Sequence, residues 1–163
     1  MLEYIFDIKS LPFMEICQVY EQSLACGLEY ENGGETARYW KEENDLYLQL
    51  QDFFANRDSR MAVWRTVDGI QAALRLEHHR DGLLLFALET RPESRRKGFA
   101  LRLVNEVIKD LEEGTIIYSH VKKDNVASMQ LHLKCGFTVH SDVGRLLDGS
   151  VSNAYVTLKY IKK

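Results

Sequence analysis

The sequence predicts a mixed α/β sheet with helices on both of its faces. Three observations carry that prediction. The middle of the chain holds two hairpin turn signals, Asp68-Gly69 and Asp81-Gly82, each set between short β-like runs. The apolar run at 83–90 leads into a strongly periodic helix and then into a further apolar run, TIIYSHV, the pattern of a crossover between parallel strands. Helical periodicity also occupies the stretch before the hairpins and the stretch after TIIYSHV.

Taken in order, LEYIFDI alternates in part and reads as a first strand. LPFMEICQVYEQSLACG sets Phe13, Ile16, Cys17, Tyr20 and Leu24 at helical spacing, with Gly27 as the stop. LEYENGGE is a loop. TARYWKEENDLYLQLQDFFAN is a second helix with Trp40, Leu46, Leu50, Phe53 and Phe54 as its apolar members. The two turn signals then make a meander of antiparallel strands. Its last strand, 83–90, is almost wholly apolar, so it is expected to be central and buried on both faces. The following helix repeats apolar residues at Ala100, Leu101, Val104, Val107, Ile108 and Leu111, and Gly114 ends it. After TIIYSHV, Asn125 caps a helix over Val126–Lys134, which Gly136 stops. FTVH and NAYVTLKYI close the chain as an antiparallel pair.

A length of 163 residues suits one domain spanning the whole chain, 1–163, large enough to bury a core without staples. The net charge of -3 argues against general nucleic-acid binding, so any anion site is local. Three cysteines, Cys17, Cys26 and Cys135, match no zinc spacing. The N-terminus has no basic region of the signal-peptide kind, and no apolar run is long enough to span a bilayer. A reducing cytoplasm is the expected home, with no membrane and no nucleic acid among the partners.

One stretch runs against the acidic balance. In ETRPESRRKGFALRL, three cations, Arg95, Arg96 and Lys97, meet Gly98 where the periodic helix begins. A helix N-terminus already carries partial positive charge, so cations there are unfavourable unless an anion joins them. Gly98 lets the backbone turn so that successive N–H groups converge on such an anion. A pyrophosphate fits this reading. A solvated basic loop is the other reading, and the motif alone does not choose between them.

A second motif, DNVASMQLHLKCGF, lies one strand further on. Together the two resemble the GNAT superfamily of N-acetyltransferases. That family carries [RQ]-x-x-G-x-[GA] after a central strand, read here as RRKGFA with Pro92 ahead of Arg95. It carries N-x-x-[AS]-x-x-L-Y-x-K-x-G-F later, matched here by Asn125, Ser128, Leu131, Lys134, Gly136 and Phe137 in one register. The resemblance is specific from about Leu83 to Phe137. The family's tyrosine is replaced by His132.

The resemblance implies a GNAT-like fold and an acetyl-CoA-dependent transfer to a primary amine, by direct attack and without a metal. It implies cofactor contacts from Leu88 and Thr90 on the strand, from Arg95, Arg96, Lys97, Gly98, Phe99 and Ala100 in the loop, and from Asn125 and Ser128. Glu89 reads either as a general base raised by burial or as a strand-end carboxylate facing solvent or Arg91. His132 reads either as the proton donor to the leaving thiolate or as a packing residue beside a water donor. His120, at the end of a parallel strand, could also face the cleft. His78 and His79 are expected at the surface, and Cys135 as packing. The acceptor is a small-molecule or peptide amine. The acidic stretches LEYENGGE and KEEND would favour a cationic one or be a solvated face. A non-catalytic CoA-binding module and a nucleotide-phosphate binder are the other classes. Monomer and homodimer stay open.

Overall fold

A computed structural model of the chain describes residues 1–26, 35–145 and 149–163, with the side chains at 25–26 and 35–41 excepted. The expected stop at Gly27, the body of the loop LEYENGGE and the side chain of Trp40 lie outside the described residues.

The described strands are β1 (Leu2–Ile5), β2 (Arg60–Thr66), β3 (Gly69–His79), β4 (Gly82–Thr90), β5 (Ile116–Lys122), β6 (Thr138–Ser141), β7 (Gly144–Arg145), β8 (Val151–Ser152) and β9 (Tyr155–Ile161). The helices are α1 (Phe13–Val19), α2 (Glu21–Cys26), α3 (Glu35–Ala55), α4 (Phe99–Asp110) and α5 (Val126–Lys134). Seven strands form one sheet in the order β1-β2-β3-β4-β5-β9-β6, and β7 and β8 form a separate hairpin. All pairs are antiparallel except β4 with β5. The mixed sheet, the meander and the closing pair are those the sequence predicts.

Apolar periodicity divides the core in two. Leu103, Val104, Val107 and Ile108 of α4 pack on one face of the sheet with Leu74, Leu85 and Ile117. Ile16, Val19 and Tyr20, with Leu46, Leu50 and Phe53 of α3, pack on the other face with Met61, Val63 and Ala73.

Four features differ from the sequence reading. The first predicted helix breaks at Tyr20, whose ψ of 8° leaves the helical range. Its backbone still bridges both halves, donating to Ile16 at 3.1 Å and accepting from Leu24 at 3.0 Å. The result is a bend that turns the Tyr20 side chain into the core. The fourth helix ends at Asp110, before Gly114, which instead turns at φ 84° into β5 and donates to the Lys162 carbonyl at 2.8 Å. The hairpin of β7 and β8 is additional.

The last difference shapes the site. Of the apolar strand β4, only Leu84 and Leu85 are buried; its remaining residues are half-buried. β4 and β5 pair only at Leu83 with Ile117 and Leu84 with Tyr118, then part. They start close together, because a Cβ at Gly82 would sit 2.3 Å from the Ile116 carbonyl oxygen. Beyond Leu85, β4 therefore borders a gap on its β5 side while it goes on pairing with β3 on the other. β4 also carries a bulge. Arg75 pairs with Phe86 and Ala73 with Glu89, so the single residue Leu74 faces both Ala87 and Leu88. Ala87 takes φ 49° to accommodate the extra residue.

Candidate functional site

The gap between β4 and β5 opens into a cleft of about 600 Å³. Its walls come from the end of β4, the loop that follows, the first turns of α4 and α5, and α2. Leu88, Glu89, Thr90, Arg95, Arg96, Gly98, Phe99, Ala100, Asn125 and Ser128 all line it. Lys97 is exposed nearby but does not, and neither does His132.

The loop is built as an anion cradle. A 3-10 turn over Pro92–Ser94 is anchored to β3, where the Arg91 N–H donates to the Gln71 carbonyl at 2.9 Å and Ser94 Oγ to the Gln71 side chain. Arg96 (φ 61°) and Gly98 (φ 82°) then enter the left-handed region. Alternation of this kind turns successive N–H groups toward one side. The first helical bond of α4 runs from Arg102 N–H to Gly98 O at 3.0 Å. The N–H groups of Gly98, Phe99, Ala100 and Leu101 therefore have no partner inside the helix. All four residues border the cleft. A Cβ built at Gly98 meets nothing within 4 Å, so the space before these donors is open. This donor set fits the pyrophosphate of a coenzyme A derivative.

The cations divide their work. Arg95 turns back, with Nε 3.2 Å from the Thr90 carbonyl and its guanidinium on the Gln22 side-chain oxygen of α2. It braces the end of β4 against α2. Arg96 and Lys97 stay exposed and available to an anion.

Glu89 projects from β4 toward α2, where its carboxylate accepts a hydrogen bond from Ser23 Oγ. Burial pushes the Glu89 carboxyl above the usual carboxylate range; the Ser23 bond and the nearby Arg95 and Arg75 pull it partly back. The expectation of a pairing with Arg91 fails, because Arg91 pairs with Glu93.

On the other wall, the Asn125 side chain accepts from Ser128 N–H at 3.0 Å, capping α5 as expected. His132 sits one turn further and faces inward. It is 1% exposed, its Nδ1 lies 2.8 Å from the Ser128 carbonyl, and its ring meets Phe137 edge-on at 5.1 Å. Burial pushes its pKa down, which favours the neutral ring, and the bond to the Ser128 backbone pulls it partly back. This geometry favours the packing reading of His132 over the proton-donor one. His120 bonds Thr157 Oγ1 at 3.0 Å through Nδ1, stacks edge-on with His79 and does not border the cleft. Half-buried His79 is not at the surface as expected, whereas His78 is.

Gln22 and Ser23 were not legible as site residues. Polar side chains on a helix read as a solvated face, and only the bend at Tyr20 aims them at β4. A larger groove of about 730 Å³, lined by residues such as Asp7, Ile8 and Phe54, holds none of the residues above.

A central strand pair that parts, a bulged strand and a helix N-terminus facing the gap make this the fold of the GNAT N-acetyltransferases. The chain belongs to the FR47-like protein family, whose pattern matches residues 63–146. It is similar in structure to the ribosomal-protein-S18-alanine N-acetyltransferase of Escherichia coli, at 14% identity over 100% of this chain and 95% of that one, TM-score 0.65. It is also similar to a spermidine N-acetyltransferase chimera from Vibrio cholerae and hSSAT, at 17% identity over 99% of this chain and 95% of that one, TM-score 0.63. A PaiA N-acetyltransferase from Thermoplasma acidophilum, solved in complex with coenzyme A, matches at 15% identity over 99% of both chains, TM-score 0.61. No curated protein matches by sequence.

Proposed function

We propose that the chain is an acetyl-CoA-dependent N-acetyltransferase that moves an acetyl group to a primary amine by direct attack. The observation that supports this most is one cleft holding both an anion cradle at 96–101 and the half-buried carboxyl of Glu89. Acetyl-CoA would supply a thioester carbonyl carbon at the gap. The amine nitrogen attacks that carbon, the C–S bond breaks with its electron pair going to sulfur, and the amine's proton leaves.

The chain's residues divide these tasks. The N–H groups of 98–101 and the side chain of Arg96 hold the pyrophosphate, and Asn125 and Ser128 border the opposite wall. Backbone N–H groups of β4 beside Leu88 and Thr90, freed by the parting of β4 from β5, face the oxyanion. Glu89 takes the proton from the ammonium, directly or through water, and its raised pKa suits that role. On α5 the cleft meets only amide, hydroxyl and apolar groups, so the thiolate takes its proton from water.

No array that would activate a hydroxyl nucleophile borders the cleft among the described residues, which favours amines over alcohols. Small amines, peptide N-termini and lysines all stay within this proposal. The inward face of His132 favours one alternative, a CoA-binding regulatory module without turnover. Thiol release from acetyl-CoA across a panel of amines separates the two. The free, buried Cys17 and Cys135 support a reducing compartment such as the cytoplasm.

A further inference from the structure

The bulge in β4 decides which way Glu89 points. Without the extra residue, the register set by Arg75 with Phe86 would carry Glu89 opposite Ala72. Ala72 belongs to the core under α4. With the bulge, Glu89 lies opposite Ala73, in the core under α1, α2 and α3, and meets Ser23. One residue of register flips a strand's side chains between faces. The strained residue that makes the flip is Ala87, at φ 49°. No glycine relieves it, so the surrounding structure must hold it.

The holder is Tyr20. Its hydroxyl donates to the Ala87 carbonyl at 2.7 Å, joining the bend between α1 and α2 to the bulge. Tyr20 is itself locked in place. The guanidinium of Arg75, 8% exposed, sits 5.6 Å from the Tyr20 ring centroid, 5.7 Å from Phe53 and 5.8 Å from Phe86. Arg75 Nε is buried without a hydrogen-bond partner, and among the described residues no carboxylate forms an ion pair with it. A buried cation without an ion-pair partner in contact is costly, and the Glu89 carboxylate offsets that cost only from beyond ion-pair distance. Retaining it against three rings ties β3, α3 and the Tyr20 bend to the bulged strand.

We propose that Tyr20 is a positioning residue that pins the Ala87 bulge through its hydroxyl, with Arg75 as its anchor, and so keeps Glu89 in the cleft. This rests on the acetyltransferase reading for its kinetic consequence, but not for its structural one.

The test is Tyr20→Phe in the full chain, which removes one oxygen and keeps the ring over Arg75. Backbone amide exchange at 86–89 is read first. Faster exchange there, with exchange in α4 unchanged, is the expected result; unchanged exchange at 86–89 overturns the pin whatever the activity. Turnover is read second. The expected result is a tenfold or larger fall in kcat, a displaced acid limb in the pH profile, and an unchanged calorimetric Kd for coenzyme A. Wild-type kcat and pH profile in Tyr20→Phe would overturn the positioning of Glu89. If the unmodified chain acetylates no amine, the acetyltransferase reading fails, and the amide exchange still decides the pin.

Discussion

Ser23 Oγ donates a hydrogen bond to the carboxylate of Glu89, across 66 residues of sequence. The bond favours the ionised form, whereas burial favours the protonated one and wins. Ser23→Ala should therefore raise the Glu89 pKa further and move the acid limb of the rate profile to higher pH. Glu89→Gln should cut the rate at neutral pH by about a hundredfold, with recovery at alkaline pH as the amine deprotonates unaided. Both are read from kcat/KM across a pH series. An acid limb that stays where it was in Ser23→Ala would remove Glu89 from the titration.

The cradle predicts the cofactor side. Gly98→Asp adds a carboxylate at φ 82° in open space, so nothing clashes and the left-handed backbone costs about 1 kcal/mol. The anion it faces would lose charge-assisted bonds, a loss of about a hundredfold or more in acetyl-CoA affinity. Calorimetry checks the affinity and a melting curve checks the fold. Undiminished binding would separate the loop from the cofactor.

Three histidines make stability depend on pH. Burial pushes the pKa of His79, His120 and His132 down. The fold therefore resists protonating each of them, whereas the unfolded chain takes up a proton below about pH 6.5. The unfolded state then binds more protons, so stability falls as pH drops below that value. Glu89 has the opposite sign, because its raised pKa adds stability that fades as pH rises above the ordinary carboxylate range. The melting midpoint should fall between pH 7.5 and 5.5. His132→Gln should make that fall shallower and leave kcat unchanged. A large loss of kcat in that variant would return His132 to proton donation.

Much of this was legible in the sequence because strong local signals wrote it. Asp68-Gly69 and Asp81-Gly82 mark the meander; the periodicity around Val104 and Val107 marks α4; Asn125 marks the start of α5. The loop at 95–100 stood out because its cations oppose the helix dipole, which by itself left an anion site and a solvated basic loop both open. Other features depend on tertiary partners. Ala87 bulges without a glycine to announce it, held instead by Tyr20 from 67 residues away. The apolar run of β4 predicted burial on both faces, but its last three residues border the cleft because β5 departs after Tyr118. Gln22 and Ser23 reach the site only through a bend in what reads as one continuous helix. β7 and β8 are two residues each, too short to show alternation.

The most direct test of the central claim follows thiol release from acetyl-CoA by the purified chain. It uses a panel of primary amines, amine-bearing peptides and matched alcohols, with Gly98→Asp as the control. The expected result is thiol release that depends on an amine, is absent with the alcohols and is lost in Gly98→Asp. Release with alcohols alone, or none above spontaneous hydrolysis with any amine while acetyl-CoA still binds, would contradict it.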